Sequence, residues 1–299
     1  MAQAVQSGSQ FSQARTEGRS FSWAWVGVVP FFAFAILFLI LPTGYLAIGG
    51  LQDPDGSFTL KHIGELFQPS ILDSYWISIK ISTVTAVGGA IFGFLLAYAA
   101  ILGGLPRSIR TALLTFSGVA SNFAGVPLAF SFIATLGRLG LVTVLLQNVF
   151  GFSLYNAGFN ILSFWGLSIT YMYFQFPLMV LIMAPALDGL KKDWREAAEN
   201  LGASSFEYWR YIAMPILLPT IIGTTLLLFA NAFGAVATAY ALTGSSLDII
   251  TIQLYAQIRG DVLHNPNLGY AMALGMIIIT GVSNGLYIWL RGRSERWLR

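Results

Sequence analysis

Long apolar runs separated by short polar stretches dominate the chain. Six of them are long enough to cross about 30 Å of hydrocarbon, because a transmembrane helix needs about 20 mostly apolar residues. The runs cover residues 24–48, 74–102, 111–136, 160–186, 215–241 and 268–290. This pattern predicts an all-α integral membrane protein with six transmembrane helices.

Composition narrows the class of protein further. Hydrophobic residues make up 56% of the chain and charged residues 10%, and the mean hydropathy is +0.70, which excludes an ordinary soluble multidomain protein. The absence of cysteine excludes disulfides, thiolate catalysis and cysteine-ligated metal. Residues 1–22 are polar and rich in Gln and Ser, so we expect a tail there and a single transmembrane domain over 23–299.

The distribution of basic residues predicts the orientation, because Lys and Arg near helix ends stay in the cytoplasm. The two termini and the second and fourth loops hold twelve of them, whereas the other three loops hold Lys61, Arg138 and Arg259. Both termini and the loop at about 187–214 are therefore predicted to be cytoplasmic, the first 22 residues forming a cytoplasmic tail. The net charge of +3 follows from these inner-face residues, and no nucleic acid is expected as a partner.

The 187–214 loop carries signals for a helix, a turn and a second helix. Asp193 is a candidate N-cap answered by Glu196 three residues on, and Gly202 is placed to end the helix in a left-handed conformation. Ser204 and Glu207 have the spacing of a capping box and predict the start of the second helix.

One face of the first short helix is apolar. Trp194, Ala197, Ala198 and Leu201 fall at i, i+3, i+4 and i+7 and form a single stripe. A helix of about two turns is marginal in water, so packing against a partner or against the chain's own bundle must hold it. The stripe predicts a docking surface on the water side of the membrane.

Polar side chains within the apolar runs are candidates for a translocation path, because an amide facing lipid is costly. Ser168, Tyr171 and Gln175 share a face of the fourth run, and Thr220, Thr224, Asn231 and Thr238 share a face of the fifth. We take Asn122, Tyr171, Gln175 and Asn231 as path candidates. The alternative is interhelical hydrogen bonding without a role in transport.

Two external loops predict further short helices. Leu139 to Phe150, closed by Gly151, predicts a helix that lies along the outer interface or lines the mouth of the bundle. The apolar patch from Ile249 to Ile258 predicts another.

Catalytic signatures are absent from the sequence. It contains no G-x-x-x-x-G-K-[ST] phosphate loop, no H-E-x-x-H and no G-x-S-x-G. His62 and His264 stand alone in external loops and are interpreted as surface histidines, so no metal site is expected. The chain is not expected to be an enzyme or to bind ATP by itself.

The 187–214 loop resembles the cytoplasmic signature of the membrane permease subunits of binding-protein-dependent ABC importers, E-A-A-x-x-x-G followed after nine residues by I-x-L-P. The matching residues are Glu196, Ala197, Ala198, Gly202, Ile212 and Pro215. Met214 replaces the usual Leu, an apolar residue of similar volume.

This resemblance implies a type I (MetI-like) importer fold whose coupling helix sits in a cleft of a cytoplasmic ATPase. The residues assigned to ATPase coupling are Trp194, Glu196, Ala197, Ala198, Leu201, Gly202, Ile212 and Pro215. The implied partners are an ATPase dimer that holds ATP and Mg²⁺, a second, non-identical permease subunit and an extracytoplasmic solute-binding protein. The implied location is the bacterial cytoplasmic (inner) membrane, with no cofactor bound by this chain.

The resemblance defines the solute less closely than it defines the fold and the partners. Residues 190–290 are similar to the spermidine and putrescine branch, which implies a polyamine or another small polar or cationic solute. The alternatives are a secondary transporter driven by an ion gradient, or a channel. A secondary transporter usually needs ionisable residues near the membrane midplane, whereas Lys80, the one charged residue within a run, lies near an end and is expected to snorkel.

Overall fold

The computed structural model describes residues 24–259 and 265–294. Within these ranges the regular secondary structure is helical, with one isolated β-bridge between Gln52 and Phe58. Packing divides the chain into two units, residues 1–45 and 46–299. The predicted tail at 1–22 and His264 lie outside the described residues.

The first unit contains helix α1 (Ala24–Ala35), a π-helical turn (Ile36–Ile40) and the start of α2 (Leu41–Gly49). The π-helical turn ends two residues before Pro42, which has no N–H for the usual bond to the carbonyl four residues back. The wider turn lets the helix continue past the proline.

The second unit is a helical bundle. Its helices are α3 (Lys61–Glu65), α4 (Pro69–Leu102), α5 (Arg107–Ala120), α6 (Val126–Leu136), α7 (Leu141–Phe150), α8 (Phe164–Asp188), α9 (Lys192–Asn200), α10 (Ser205–Tyr208), α11 (Met214–Phe233), α12 (Val236–Thr243), α13 (Ile250–Arg259) and α14 (Pro266–Ser294). Helices α7 and α13 occupy the segments 139–150 and 249–258, for which the sequence predicts short external helices. Because α7 lies within an apolar segment long enough to cross a membrane, Val126–Phe150, its external position stays a prediction.

Six segments of the described residues are long and apolar enough to cross a membrane, as the sequence predicts. They are Gly27–Gly49, Pro69–Leu102, Val126–Phe150, Phe164–Asp188, Ser205–Phe233 and Pro266–Leu290. The number of spans is confirmed, whereas the bounds of the third and of the fifth differ from the prediction.

The predicted third and fifth spans are not continuous helices. The third, predicted at 111–136, is interrupted between α5 and α6 because Gly125 adopts φ 75° and ψ −149°, which only glycine tolerates, and Pro127 lacks an N–H. The fifth, predicted at 215–241, is interrupted at Gly234 and Ala235, and Ala235 has a non-helical ψ of 73°. Each break frees backbone groups that the rest of the bundle must satisfy.

Helices α4, α8 and α11 pack together at the centre of the second unit, with glycines of α4 at the contact. A Cβ added at Gly89 would lie 2.8 Å from Gln175 Cβ, and one added at Gly93 would lie 2.5 Å from Met179 Cβ. Both glycines are buried, and Met179 is fully buried in the apolar core between these helices. The helix backbones therefore approach each other closely, as small residues allow in membranes.

His62 is not the surface histidine that the sequence predicts. It is 3% exposed, and its Nδ1 lies 3.1 Å from Glu65 Oε2 while its Nε2 lies 3.2 Å from Asp53 Oδ1 without hydrogen-bond alignment. The adjacent Gln52 carbonyl accepts a 2.6 Å hydrogen bond from Asn267 Nδ2 of α14. These contacts fold the segment 51–65 back on itself and attach it to α14. The sequence did not predict the burial of His62 because it depends on these contacts between separate segments.

A prediction follows from the contact between α4 and α8. Gly93→Ala should lower the free energy of unfolding by about 1–3 kcal/mol, because the new methyl group would overlap Met179 and the Phe176 carbonyl. Gly285→Ala in α14 is the matched control, since nothing lies within 4 Å of a Cβ there. Thermal unfolding in detergent tests this, and equal midpoints for the two variants would contradict it.

Candidate docking loop and polar helix faces

The 187–214 loop forms a helix, a turn and a helix, with one error in the predicted start. α9 begins at Lys192 after an N-cap at Lys191 that makes no side-chain cap bond, so Asp193 is not the N-cap. Asp193 lies instead in the first turn, where its negative charge favours the positive end of the helix dipole.

The turn after α9 is a complete Schellman motif. Gly202 has φ 82°, its N–H donates to the Glu199 carbonyl at 2.9 Å, and the Ala203 N–H donates to the Ala198 carbonyl at 3.0 Å. The predicted left-handed glycine is confirmed.

The predicted capping box at α10 is also confirmed. Ser204 Oγ accepts the Glu207 N–H at 3.3 Å, and Glu207 Oε2 accepts the Ser204 N–H at 2.7 Å. Two N–H groups that the helix start leaves unpaired are thus satisfied reciprocally. Both ends of the turn between α9 and α10 have defined local structure.

The predicted apolar stripe of α9 divides between two sides. Ala198 is buried and Trp194 half-buried, and both pack in a small cluster with Tyr208 and Ala213. Ala197 is exposed, and Leu201 is 88% exposed. The stripe is therefore not one docking face, since the second half of the loop covers one side and leaves the other open.

The other residues assigned to ATPase coupling also divide into exposed and partly buried side chains. Glu196 and Pro215 are exposed, while Ile212 is half-buried against the Ala198 cluster. A π-helical turn (Trp209–Ala213) precedes Pro215, just as another precedes Pro42, and α11 continues without a gap. The loop thus joins the bundle through continuous helix on its C-terminal side.

Two of the four path candidates are buried between helices. Tyr171 is 2% exposed and its hydroxyl donates to the Ala235 carbonyl at the break between α11 and α12. Gln175 is 0% exposed, and its Nε2 donates to the Leu228 carbonyl at 2.9 Å. Gln175 Oε1 has no hydrogen-bond partner among the described residues. Their positions match the interhelical alternative.

The other two path candidates are exposed amides. Asn122 lies in the break between α5 and α6, where its Nδ2 donates to the Gly118 carbonyl at 2.9 Å. Asn231 lies on the exposed side of α11. Asn231 lies within the spanning segment Ser205–Phe233, where an exposed amide needs water or a partner protein because lipid offers no hydrogen bonds.

A small cavity lies between α4, α8 and α13. Ser78, Ser82, Tyr171 and Thr251 line it together with apolar residues that include Ala232 and Phe233 of α11, and its free space suits about one water molecule. It is too small for a transported solute. Within the described residues, no group of three or more His, Asp and Glu side chains could hold a metal ion.

Two interactions of these segments could not be read from the sequence. Thr238 Oγ1 accepts the Gly125 N–H at 2.7 Å, which joins the two helix breaks. Arg110 pairs with Asp188, which joins the start of α5 to the end of α8. Thr238 belongs to the predicted polar stripe of the fifth span, but its partner is 113 residues away.

A helical bundle with six segments able to span a membrane, and a structured helix–turn–helix loop before the fifth, define a multi-pass membrane protein. Residues 116–299 match the family of binding-protein-dependent transport system inner membrane components, and the chain belongs to this family. It is accordingly a multi-pass protein of the inner membrane.

Relatives within this family carry different solutes in their names. The chain is 26% identical over 261 residues to the ferric transport system permease protein FbpB 1 of Haemophilus influenzae, which covers 86% of the chain and 40% of that protein. It is 26% identical over 125 residues to the spermidine/putrescine transport system permease protein PotC of Escherichia coli K12, which covers 42% of the chain and 47% of PotC. The chain thus spans less than half the length of either relative.

A solved structure supports the fold. A bacterial ABC transporter involved in the import of the acidic polysaccharide alginate aligns with a TM-score of 0.68 and 16% identity, over 91% of this chain and 95% of that chain. The type I importer fold implied by the sequence is confirmed.

A prediction follows from the capping box. Ser204→Ala should destabilise the start of α10 by about 1 kcal/mol, because the Glu207 N–H loses its acceptor. Hydrogen exchange of that amide should rise about fivefold, whereas Ser205→Ala, one residue on, should leave it within twofold. Similar exchange in both variants would contradict the role of Ser204.

Proposed function

We propose that this chain is the permease subunit of an ATP-driven importer and that the 187–214 loop couples it to a cytoplasmic ATPase. The observation that carries the proposal is a loop with two structured ends whose first helix leaves Leu201 and Ala197 uncovered, in a chain of the binding-protein-dependent family. An exposed leucine beside a defined turn suits a cleft in a partner protein.

The mechanism proposed is alternating access. Two ATPase subunits hold ATP and Mg²⁺, and their closure moves the docked loops, so that the bundle opens toward a loaded solute-binding protein outside. Hydrolysis resets the bundle. In this proposal the chain contributes the translocation path and the loop that transmits the motion of the ATPase to it.

The path is proposed to run along the exposed amides Asn122 and Asn231 rather than past Tyr171 and Gln175. Asn122 and Asn231 are exposed in the single chain, whereas Tyr171 and Gln175 are buried and donate to backbone carbonyls of neighbouring segments. A second, non-identical permease subunit would complete the path on that open side. Both termini and the 187–214 loop are placed in the cytoplasm by the positive-inside rule.

The solute is proposed to be a polyamine or another small polar or cationic molecule. The similarity to PotC supports a polyamine, while FbpB 1, aligned over more of the chain, has a ferric system in its name. Competition between spermidine and ferric iron for uptake, measured in vesicles that contain the complete complex, tests the proposal. Uptake of iron alone would reject the polyamine.

The central prediction concerns transport in proteoliposomes that contain this chain, its co-purified ATPase and permease partners, and its solute-binding protein. Uptake should require ATP on the side of the membrane where the ATPase is bound, and it should stop when the ATPase is omitted. Uptake by this chain alone that follows an ion gradient would reject the importer and favour the secondary transporter or channel.

Gly202→Val should uncouple solute uptake from ATP hydrolysis in these proteoliposomes. Valine is β-branched and strained by about 1–3 kcal/mol at φ 82°, so the turn that presents Leu201 should be lost. Uptake should fall at least tenfold while the protein stays in the membrane. Gly189→Ala is the control, because Gly189, at the start of the loop, has φ −73°, which alanine adopts without strain. Normal uptake by Gly202→Val would contradict the role of the turn.

A further inference from the structure

The 187–214 loop meets the bundle at two residues that belong to two apolar clusters at once. One cluster is within the loop, around Ala198, Tyr208 and Ala213. The other is the bundle core between α4, α8 and α11, around Ala97, Met179, Val180, Met183 and Leu217. Leu190 and Trp209 pack against both.

These two residues flank the part of the loop that is uncovered. Leu190 follows the end of α8 and precedes α9, and its N–H donates to the Leu187 carbonyl at 3.2 Å. Trp209 follows α10 and opens the π-helical turn, where its carbonyl accepts the Met214 N–H. The helix that carries Leu201 is thus held at its entry and at its exit.

Trp209 contacts a central helix of the bundle directly. Its ring lies 5.2 Å from the ring of Tyr98 on α4 at an interplanar angle of 74°, and 6.2 Å from the ring of Tyr208 at 85°. Both are edge-to-face arrangements, which aromatic pairs prefer. Trp209 therefore stands between the loop cluster and α4, and its shape determines the spacing of the two.

We propose that Leu190 and Trp209 are positioning residues that transmit the displacement of α9 to α8 and α4. Packed interiors respond to displacement by moving neighbouring elements rather than by compressing, so a side chain shared by two clusters carries motion from one to the other. This inference rests on the proposed function, since it concerns how a docked ATPase would move the bundle.

Trp209→Ala tests the inference in proteoliposomes with the co-purified ATPase, permease partner and solute-binding protein. The ATPase should still bind with an affinity within twofold of the original chain, because Leu201 and Glu196 are untouched and exposed. Basal ATP hydrolysis should remain. Uptake, and the stimulation of hydrolysis by the loaded binding protein, should both fall at least tenfold.

Three further variants distinguish a loss of motion transmitted from α9 to α4 from a general loss of folded protein. Tyr98→Leu removes the ring that Trp209 contacts on α4 without altering the loop, and it should uncouple in the same way. Trp209→Phe keeps a ring edge and should retain at least half of the uptake. Trp165→Ala is the control and should leave uptake unchanged, since Trp165 lies at the start of α8, is 62% exposed and belongs to neither cluster.

The outcomes distinguish the inference from the proposed function. Coupled uptake by both Trp209→Ala and Tyr98→Leu would overturn the inference, as would loss of ATPase binding in step with loss of uptake. If the unaltered chain shows no ATP-dependent uptake, the proposed function itself fails before any variant is compared.

Discussion

Hydrocarbon offers no hydrogen bonds, so every peptide group that leaves a helix within a spanning segment must find a partner in the protein. Helix breaks at Gly125 and Ala235 lie at the ends of the spanning segments Val126–Phe150 and Ser205–Phe233, and each has a side-chain partner. Thr238 accepts from the Gly125 N–H and Tyr171 donates to the Ala235 carbonyl. The arrangement of α6, α8 and α12 depends on these two bonds.

The same constraint explains why polar residues in the spans have different roles. Tyr171 and Gln175 donate hydrogen bonds to backbone carbonyls and are buried. Asn122 and Asn231 are exposed on the surface of the single chain. A polar stripe in a sequence indicates that the helix face has a hydrogen-bonding partner. It does not indicate whether that partner is the backbone of a neighbouring helix or a transported solute.

Local signals were accurate where short-range physics decides the structure. The number of spans, the left-handed Gly202 and the Ser204–Glu207 capping box were predicted from spacing, because each depends on residues a few positions apart. The interruptions of the third and fifth spans, the burial of His62 and the inward turn of Ala198 were not. The burial of Ala198 depends on how the two helices of its loop pack together, and the segment that holds His62 is bonded to a residue about 200 positions away. Gly125 and Pro127 favour the break in the third span, but the contact of Gly125 with Thr238 does not follow from a local pattern.

Leu201 has a consequence for the fate of the subunit before assembly. A leucine that is 88% exposed gains about 1.5–3 kcal/mol when it is buried, so in the proposed complex the ATPase would stabilise the chain that it binds. An orphan subunit, by contrast, displays this leucine to every protease and chaperone that recognises apolar side chains. Assembly and stability of the subunit would then be linked through one side chain, because a partner that binds only the folded chain shifts its folding equilibrium.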